Sequence, residues 1–412
     1  MSDIRPFRAL RPHPELASQV AAPPYDVISS AEARVMAQGN PVSFLHVNKP
    51  EIDLPPDVGL YDDRVYATGA ANLRRFMAEG ILIREATPCF YVYQQRMGDH
   101  VQAGIVAAAS VAEYEAGLIK RHEFTRRDKE DDRTRHTHEL NANAGPVFLT
   151  YRQQLEIDAI VDTVRAREPI YDFLAPDKIG HTIWVVPPEL NQPLQQAVAA
   201  VPALYVADGH HRAASAARVG IERKAANRDH RGDEPYNYFL AVLFPHDQLA
   251  ILDYNRVVVD LAGQTEEQFL ARIEERFTVT RGAEARPAAP KQFGMYLGET
   301  WYRLEARPGT YPTDDPVRSL DVAILQENLL SPILDVADPR SDKRIDFVGG
   351  IRGLRELERR VTEGWAVAFA LYPTTLDQLM AVANSGEVMP PKSTWFEPKL
   401  RSGLLVRTLD AW

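Results

Sequence analysis

The 412-residue chain has a single cysteine, Cys89, so it can form no disulfide within itself. That usage suits a reducing compartment. No run of about 18 apolar residues is present, so no membrane span is expected. The opening stretch, MSDIRPFRALRPHPELASQV, lacks the apolar centre of a secretory signal. The expectation is a cytoplasmic protein. Positive charge is also scarce: 47 Lys and Arg stand against 57 Asp and Glu, a net charge of -10. A mainly electrostatic grip on nucleic acid needs clustered cations and is therefore not expected. A local basic pocket for a phosphorylated small molecule remains compatible with this balance. There is no G-x-x-x-x-G-K-[ST], which excludes a P-loop. No internal repeat or low-complexity tract occurs.

Proline is plentiful, with 30 residues, several of them paired at Pro23-Pro24, Pro55-Pro56, Pro187-Pro188 and Pro390-Pro391. Proline lacks a backbone donor and restricts the residue before it, so the chain is cut into many short elements. Strand-like and helix-like segments mix without strict alternation. This predicts an α+β or mixed α/β fold rather than a barrel of equal units. Residues 91–97 and 100–110 read as a hairpin turning at Gly98-Asp99. SFLHVNKP (43–50) reads as a strand running into a loop. Residues 61–79 read as a helix stopped by Gly80, SSAEARVMAQGN as a helix capped by Ser30, and TEEQFLARIEERF as a helix capped by Thr265. DDPVRSLDVAILQENLLSPIL reads as one long helix ending at Pro332. Patterning loosens near 281–290, so a first region is placed at 1–260 and a second α+β region at 261–412.

The stretch ALYVADGHHRAASAAR (203–218) carries the most chemistry. An apolar strand ends on Asp208. Gly209 permits a sharp turn. An alanine-rich helix then starts near His210, with its free amides and positive dipole end facing whatever lies over the turn. Arg212 can grip a phosphate with two bonds. Asp208 can supply oxygen to Mg²⁺. His210 and His211 can donate hydrogen bonds or move protons. The plain alternative is an Asp helix cap followed by solvated histidines. Zinc held by the adjacent histidines is disfavoured, because neighbours in sequence rarely chelate one ion and no cysteine set accompanies them.

Residues 119–140, IKRHEFTRRDKEDDRTRHTHEL, are almost wholly polar and read as a surface or active-site loop. Arg133 and His136 within it are candidates for phosphate contact. His136 and His138 would share a face on a strand but not on a helix. The stretch MPPKSTWFEPKL puts Lys392, Ser393, Thr394 and Lys399 on a proline-framed loop able to hold a phosphate or carboxylate, or simply to close a domain. Tyr25 and Asp26 line the same cleft or form a structural turn. His46 and Lys49 are equally open. Cys89 reads as a buried, inert thiol.

ADGHHR at 207–212 resembles the motif of the SerK-like free-serine kinases of the ParB/sulfiredoxin-like superfamily. More of the chain is similar to a large bacterial and archaeal domain of unknown function placed in that superfamily. PPYDVI at 23–28, HVNKP at 46–50, RHEFT at 121–125 and MPPKSTWFEPKLRSGL at 389–404 carry this second resemblance. The likeness implies a ParB/sulfiredoxin-like core with an additional α/β region. It also implies a motif facing nucleotide phosphates, with Mg²⁺ and ADP or ATP as cofactors. It further implies a glutamate upstream of the motif that takes the proton of a substrate hydroxyl. Glu123 and Glu168 are the candidates, and Glu123 is preferred for its cationic surroundings. The expected activity is phosphoryl transfer to a small hydroxyl-bearing metabolite such as free serine. A nucleotide-binding regulatory module and a phosphodiesterase are the alternatives. The buried reading of Cys89 argues against peroxiredoxin repair.

Overall fold

A computed structural model describes residues 2–410. The chain forms two compact units. The first comprises the residues up to Leu249 and those from Pro398 onward; the second is Ala250–Glu397. The expected division at 260/261 thus differs from the observed one in two ways. The break falls at 249/250, and the final stretch returns to the first unit. Sequence patterning marks a break but carries no sign of a returning segment, because the return is set by long-range pairing: Ser402 exchanges backbone hydrogen bonds with Ala22, and Val406 with Leu10.

The first unit is built on a mixed sheet of nine strands among the described residues. Its order is Ile119–Lys120, Leu204–Asp208, Val147–Tyr151, Tyr238–Pro245, His100–Ser110, Tyr91–Met97, Ile179–Val185 and Tyr171–Leu174, with Ile4–Arg5 added beside His100–Ser110. Two pairs are parallel: Ile119–Lys120 with Leu204–Asp208, and Val147–Tyr151 with Tyr238–Pro245. YFLAVLFP is buried at every position, as a strand covered on both faces requires. Gly98 takes φ +59° in the expected hairpin turn. The core beneath this sheet is aliphatic, with Val92, Ile105, Leu149, Val206 and Leu243 fully covered. The second unit has its own antiparallel six-stranded sheet, in the order Phe277–Arg281, Thr300–Ala306, Gln292–Leu297, Val367–Leu371, Tyr254–Val258 and Ile345–Gly349. Helix Leu354–Thr362 buries Leu357 among Val257, Val348 and Ala368 on this sheet. The whole is a mixed α/β architecture of the α+β kind, and no described helix is long and apolar enough to cross a membrane.

Several local readings change. SFLHVNKP is not a strand: Leu45–Asn48 is a helical turn followed by a tight turn at Pro50–Asp53. So short an apolar run does not distinguish the two states by its pattern. Ser29, not Ser30, caps Ser30–Ala37, through a reciprocal pair with Glu32. The long helix before Pro332 is a short one, Asp321–Leu325, running into a wider π turn at Gln326–Leu330. Thr265 does cap its helix, Glu266–Ile273, in a capping box with Gln268. Cys89 is buried at 6% exposure, and burial pushes its thiol up. We expect thiol reagents to label it only after denaturation; rapid stoichiometric labelling of the native protein would contradict this packing.

Candidate functional site

The apolar run ALYVAD makes strand Leu204–Asp208, whose side chains are covered until Asp208. Its pairing with Val147–Tyr151 slips between Val206 and Asp208. Such a bulge kinks the strand and re-aims its last side chain. Gly209 follows at φ +88°, in the left-handed region, and opens helix His210–Ala226 with no side chain capping it. A Cβ at Gly209 would lie 3.3 Å from the Arg212 guanidinium carbon, so glycine serves both the turn and the close approach of that arginine. Small residues Ala213, Ser215, Ala216, Ala217 and Gly220 form the buried face of the helix.

Asp208 accepts a hydrogen bond from the Gly209 amide at 2.8 Å and pairs with Lys399 at 3.0 Å. Burial pushes the Asp208 carboxyl up, but Lys399 and Arg212 outweigh it and hold the group well below the usual carboxylate range. Arg212 donates to the Pro146 carbonyl at 2.5 Å and to Asp26 at 3.4 Å. Its Nε is buried with no hydrogen-bond partner among the described residues. Arg212 also lines a cavity with Tyr25, Arg133, His136, Ser215 and Ser402. Arg133 stacks its guanidinium over the Tyr25 ring at 4.1 Å and pairs with Asp132 at 2.7 Å.

The two candidate glutamates stand near opposite ends of the sheet order. Strand Ile119–Lys120 runs parallel to the motif strand, with Leu204 opposite Ile119 and Tyr205 opposite Lys120. Both strands therefore end at the same edge, the position where parallel strands present ligand sites. Glu123 reaches within 4.0 Å of the His210 Nδ1 atom. Glu168 instead precedes strand Tyr171–Leu174, at the far end of the sheet order, and is exposed. His122 and His210 meet edge to face, 4.5 Å between ring centroids. Burial pushes His122 down to about 4 and His210 well below the ordinary histidine value, so both rings are neutral near pH 7.

The polar stretch after Glu123 is not a loop. Arg127–Leu140 is a helix with Asp132, Thr134, His136, Thr137 and Leu140 on its covered face. Its charges are matched by the motif helix: Arg218 pairs with Asp131 at 2.5 Å, and His138 with Glu222 at 2.7 Å. Polar residues at helical spacing satisfied by a neighbouring helix leave no apolar stripe to read. His136 and His138 consequently face apart; His136 is buried with Nε2 2.9 Å from the Val47 carbonyl, and burial pushes it down to about 3. His211 accepts the Arg126 amide at 3.0 Å, which satisfies a donor at the start of that helix.

The proline-framed loop is divided. Lys399 reaches the motif through Asp208. Lys392, Ser393 and Thr394 belong to the second unit, where Ser393 donates to the Pro390 carbonyl at 2.6 Å and accepts from Thr374 at 2.9 Å through its own carbonyl. His46 and Lys49 are engaged locally, with Asp53 at 2.7 Å and Glu51 at 3.1 Å. One buried set escaped the sequence reading: His181, with Tyr93 at 2.8 Å and Arg401 at 3.2 Å. It joins residues more than 80 positions apart, so no local pattern announces it.

Fold and site define a mixed α/β protein built around an acid–glycine–histidine turn between strand and helix. The chain belongs to the family described as Protein of unknown function (DUF1015), which matches residues 4–323. It is 27% identical over 146 residues to UvrABC system protein B of Mycobacterium bovis and of Mycobacterium tuberculosis, covering 34% of this chain. The chain spans about a fifth of the length of these curated relatives, 20%. Among solved structures it is similar to a free serine kinase in complex with AMP, at 14% identity over 71% of this chain and 86% of that one, with a TM-score of 0.35. It is also similar to SbnI with C-terminal truncation from Staphylococcus aureus, at 13% identity over 74% and 87%, with a TM-score of 0.36. A conserved hypothetical protein from Pyrococcus furiosus matches at 14% identity over 75% and 97%, with a TM-score of 0.35.

Proposed function

We propose that the protein is a nucleotide-dependent phosphotransferase acting on a small hydroxyl-bearing metabolite such as free serine. The observation that carries this reading is the meeting of Glu123 with the motif turn, 4.0 Å from His210, at the shared end of two parallel strands. The uncapped helix start supplies amide donors and a positive dipole end to phosphate oxygens. Arg212 and Lys399 add fixed positive charge beside them. Glu123, with 41% of its side chain exposed, is placed to take the proton of an acceptor hydroxyl. The hydroxyl oxygen then forms a bond to the terminal phosphorus of ATP or ADP. The bond from that phosphorus to the departing nucleotide breaks, and the proton rests on Glu123. His210, neutral, can donate a hydrogen bond to the transferring group.

Asp208 fits a Mg²⁺ ion carried in on the nucleotide. It is ionised, 30% exposed, and keeps lone pairs beyond those used by Lys399 and Gly209. Bound there, the ion would spread the phosphate charge. In a wild-type protein acting this way, Mg²⁺ tightens nucleotide binding. Asp208→Ala should remove that increment, weakening Mg²⁺-nucleotide affinity about tenfold or more, as expected when a metal ligand is lost. Titration calorimetry with ADP and ATP, with and without Mg²⁺, measures it. Phosphorus NMR with serine and a panel of hydroxyl compounds measures turnover. Binding without turnover would favour the regulatory module. Neither binding nor turnover would end the phosphate reading.

A further inference from the structure

Phosphoryl transfer does not account for the pairing of His122 with His210. These rings and the Glu123 carboxylate each bring one donor atom to a common point, all within 4.8 Å of one another. The convergence follows from the parallel pairing of Ile119–Lys120 with the motif strand, which ends two loops side by side. The two histidines come from separate segments, so the objection to adjacent histidines does not apply to them. His122 and His210 are 1% and 5% exposed, respectively. The buried Nε2 of His210 has no hydrogen-bond partner among the described residues. The 4.0 Å gap from His210 Nδ1 to Glu123 is too long for a hydrogen bond. The His122 ring also hydrogen-bonds the Val206 backbone, as metal-binding histidines do with their second nitrogen.

We propose that His122, Glu123 and His210 bind a divalent transition-metal ion of the zinc type, with at least one coordination position left open. Two imidazoles and a carboxylate suit such an ion better than Mg²⁺, which prefers oxygen ligands. Metal–ligand bonds of about 2.0–2.2 Å require the three donors to draw closer together. The Glu123 side chain is 41% exposed. The site shares Glu123 and His210 with the phosphoryl-transfer reading but not Asp208, and its binding is measured without nucleotide.

The test uses tag-free, chelator-stripped full-length protein titrated with Co²⁺ and then Zn²⁺. One equivalent of Co²⁺ should give the visible absorption of a histidine-bound, low-coordinate ion, and one equivalent of Zn²⁺ should bleach it. His122→Ala and Glu123→Gln should each weaken Zn²⁺ affinity about tenfold or more. His138→Ala, whose ring pairs with Glu222, should leave it unchanged. If His122→Ala does not fold, nitrogen hyperfine coupling from Cu²⁺ bound to the wild type decides the matter. The absence of stoichiometric Co²⁺ binding, of histidine coupling, or of any effect of folded His122→Ala would overturn the proposal. Loss of phosphoryl transfer alone would not bear on it.

Discussion

Glu123→Gln is expected to lower kcat for phosphoryl transfer by roughly 10²–10⁴-fold, the usual contribution of a positioned general base. Glutamine keeps the size of the side chain and much of its hydrogen bonding, but it cannot accept the proton of the acceptor hydroxyl. Nucleotide affinity should change little, because Gly209, Arg212 and Lys399 make the phosphate contacts in this reading. The split between kcat and affinity distinguishes a base from a packing residue. Glu168→Gln, on the far side of the sheet, should behave as wild type. Steady-state kinetics with calorimetry on each variant measures both quantities. An unaltered kcat in Glu123→Gln would remove Glu123 from the reaction.

Gly403→Val should cost about 3 kcal/mol or more of stability, through backbone strain together with overpacking. Gly403 sits at φ +87°, and a Cβ there would meet the Phe44 ring at 2.5 Å. Phe44 is fully buried and has nowhere to retreat. A loss of that size lowers the melting temperature by roughly 6–12 °C in a unit of this class. Scanning calorimetry measures the shift. The same change should weaken nucleotide binding, because the segment that carries Gly403 also delivers Lys399 to Asp208. A melting temperature equal to wild type would mean that the segment is not seated as described.

What the sequence made legible is local. The strand, turn and helix of ALYVADGHHRAASAAR, the hairpin at Gly98 and the cap at Thr265 each depend on residues a few positions apart. Their signals are short-range sterics and hydrogen bonding. The preference for Glu123 came from charged neighbours, whereas its approach to His210 depends on a two-residue strand, Ile119–Lys120, too short to carry a period. The helix Arg127–Leu140 was hidden for a different reason. Its covered face is polar, and Tyr66, Val47 and the motif helix supply the partners. The His181 network and the return of the chain at 398 rest on pairings across the whole sequence, which no window of residues contains.

That return has a consequence for synthesis. The second unit is an insertion within the first, so the ribosome makes Lys399 only after all of residues 250–397. A nascent chain that already displays Asp208, Gly209 and Arg212 still lacks the cation that pairs with Asp208. The Asp208–Lys399 pair thus forms only after the entire inserted unit has been translated, and a chain arrested within that unit would carry the motif without its counter-charge.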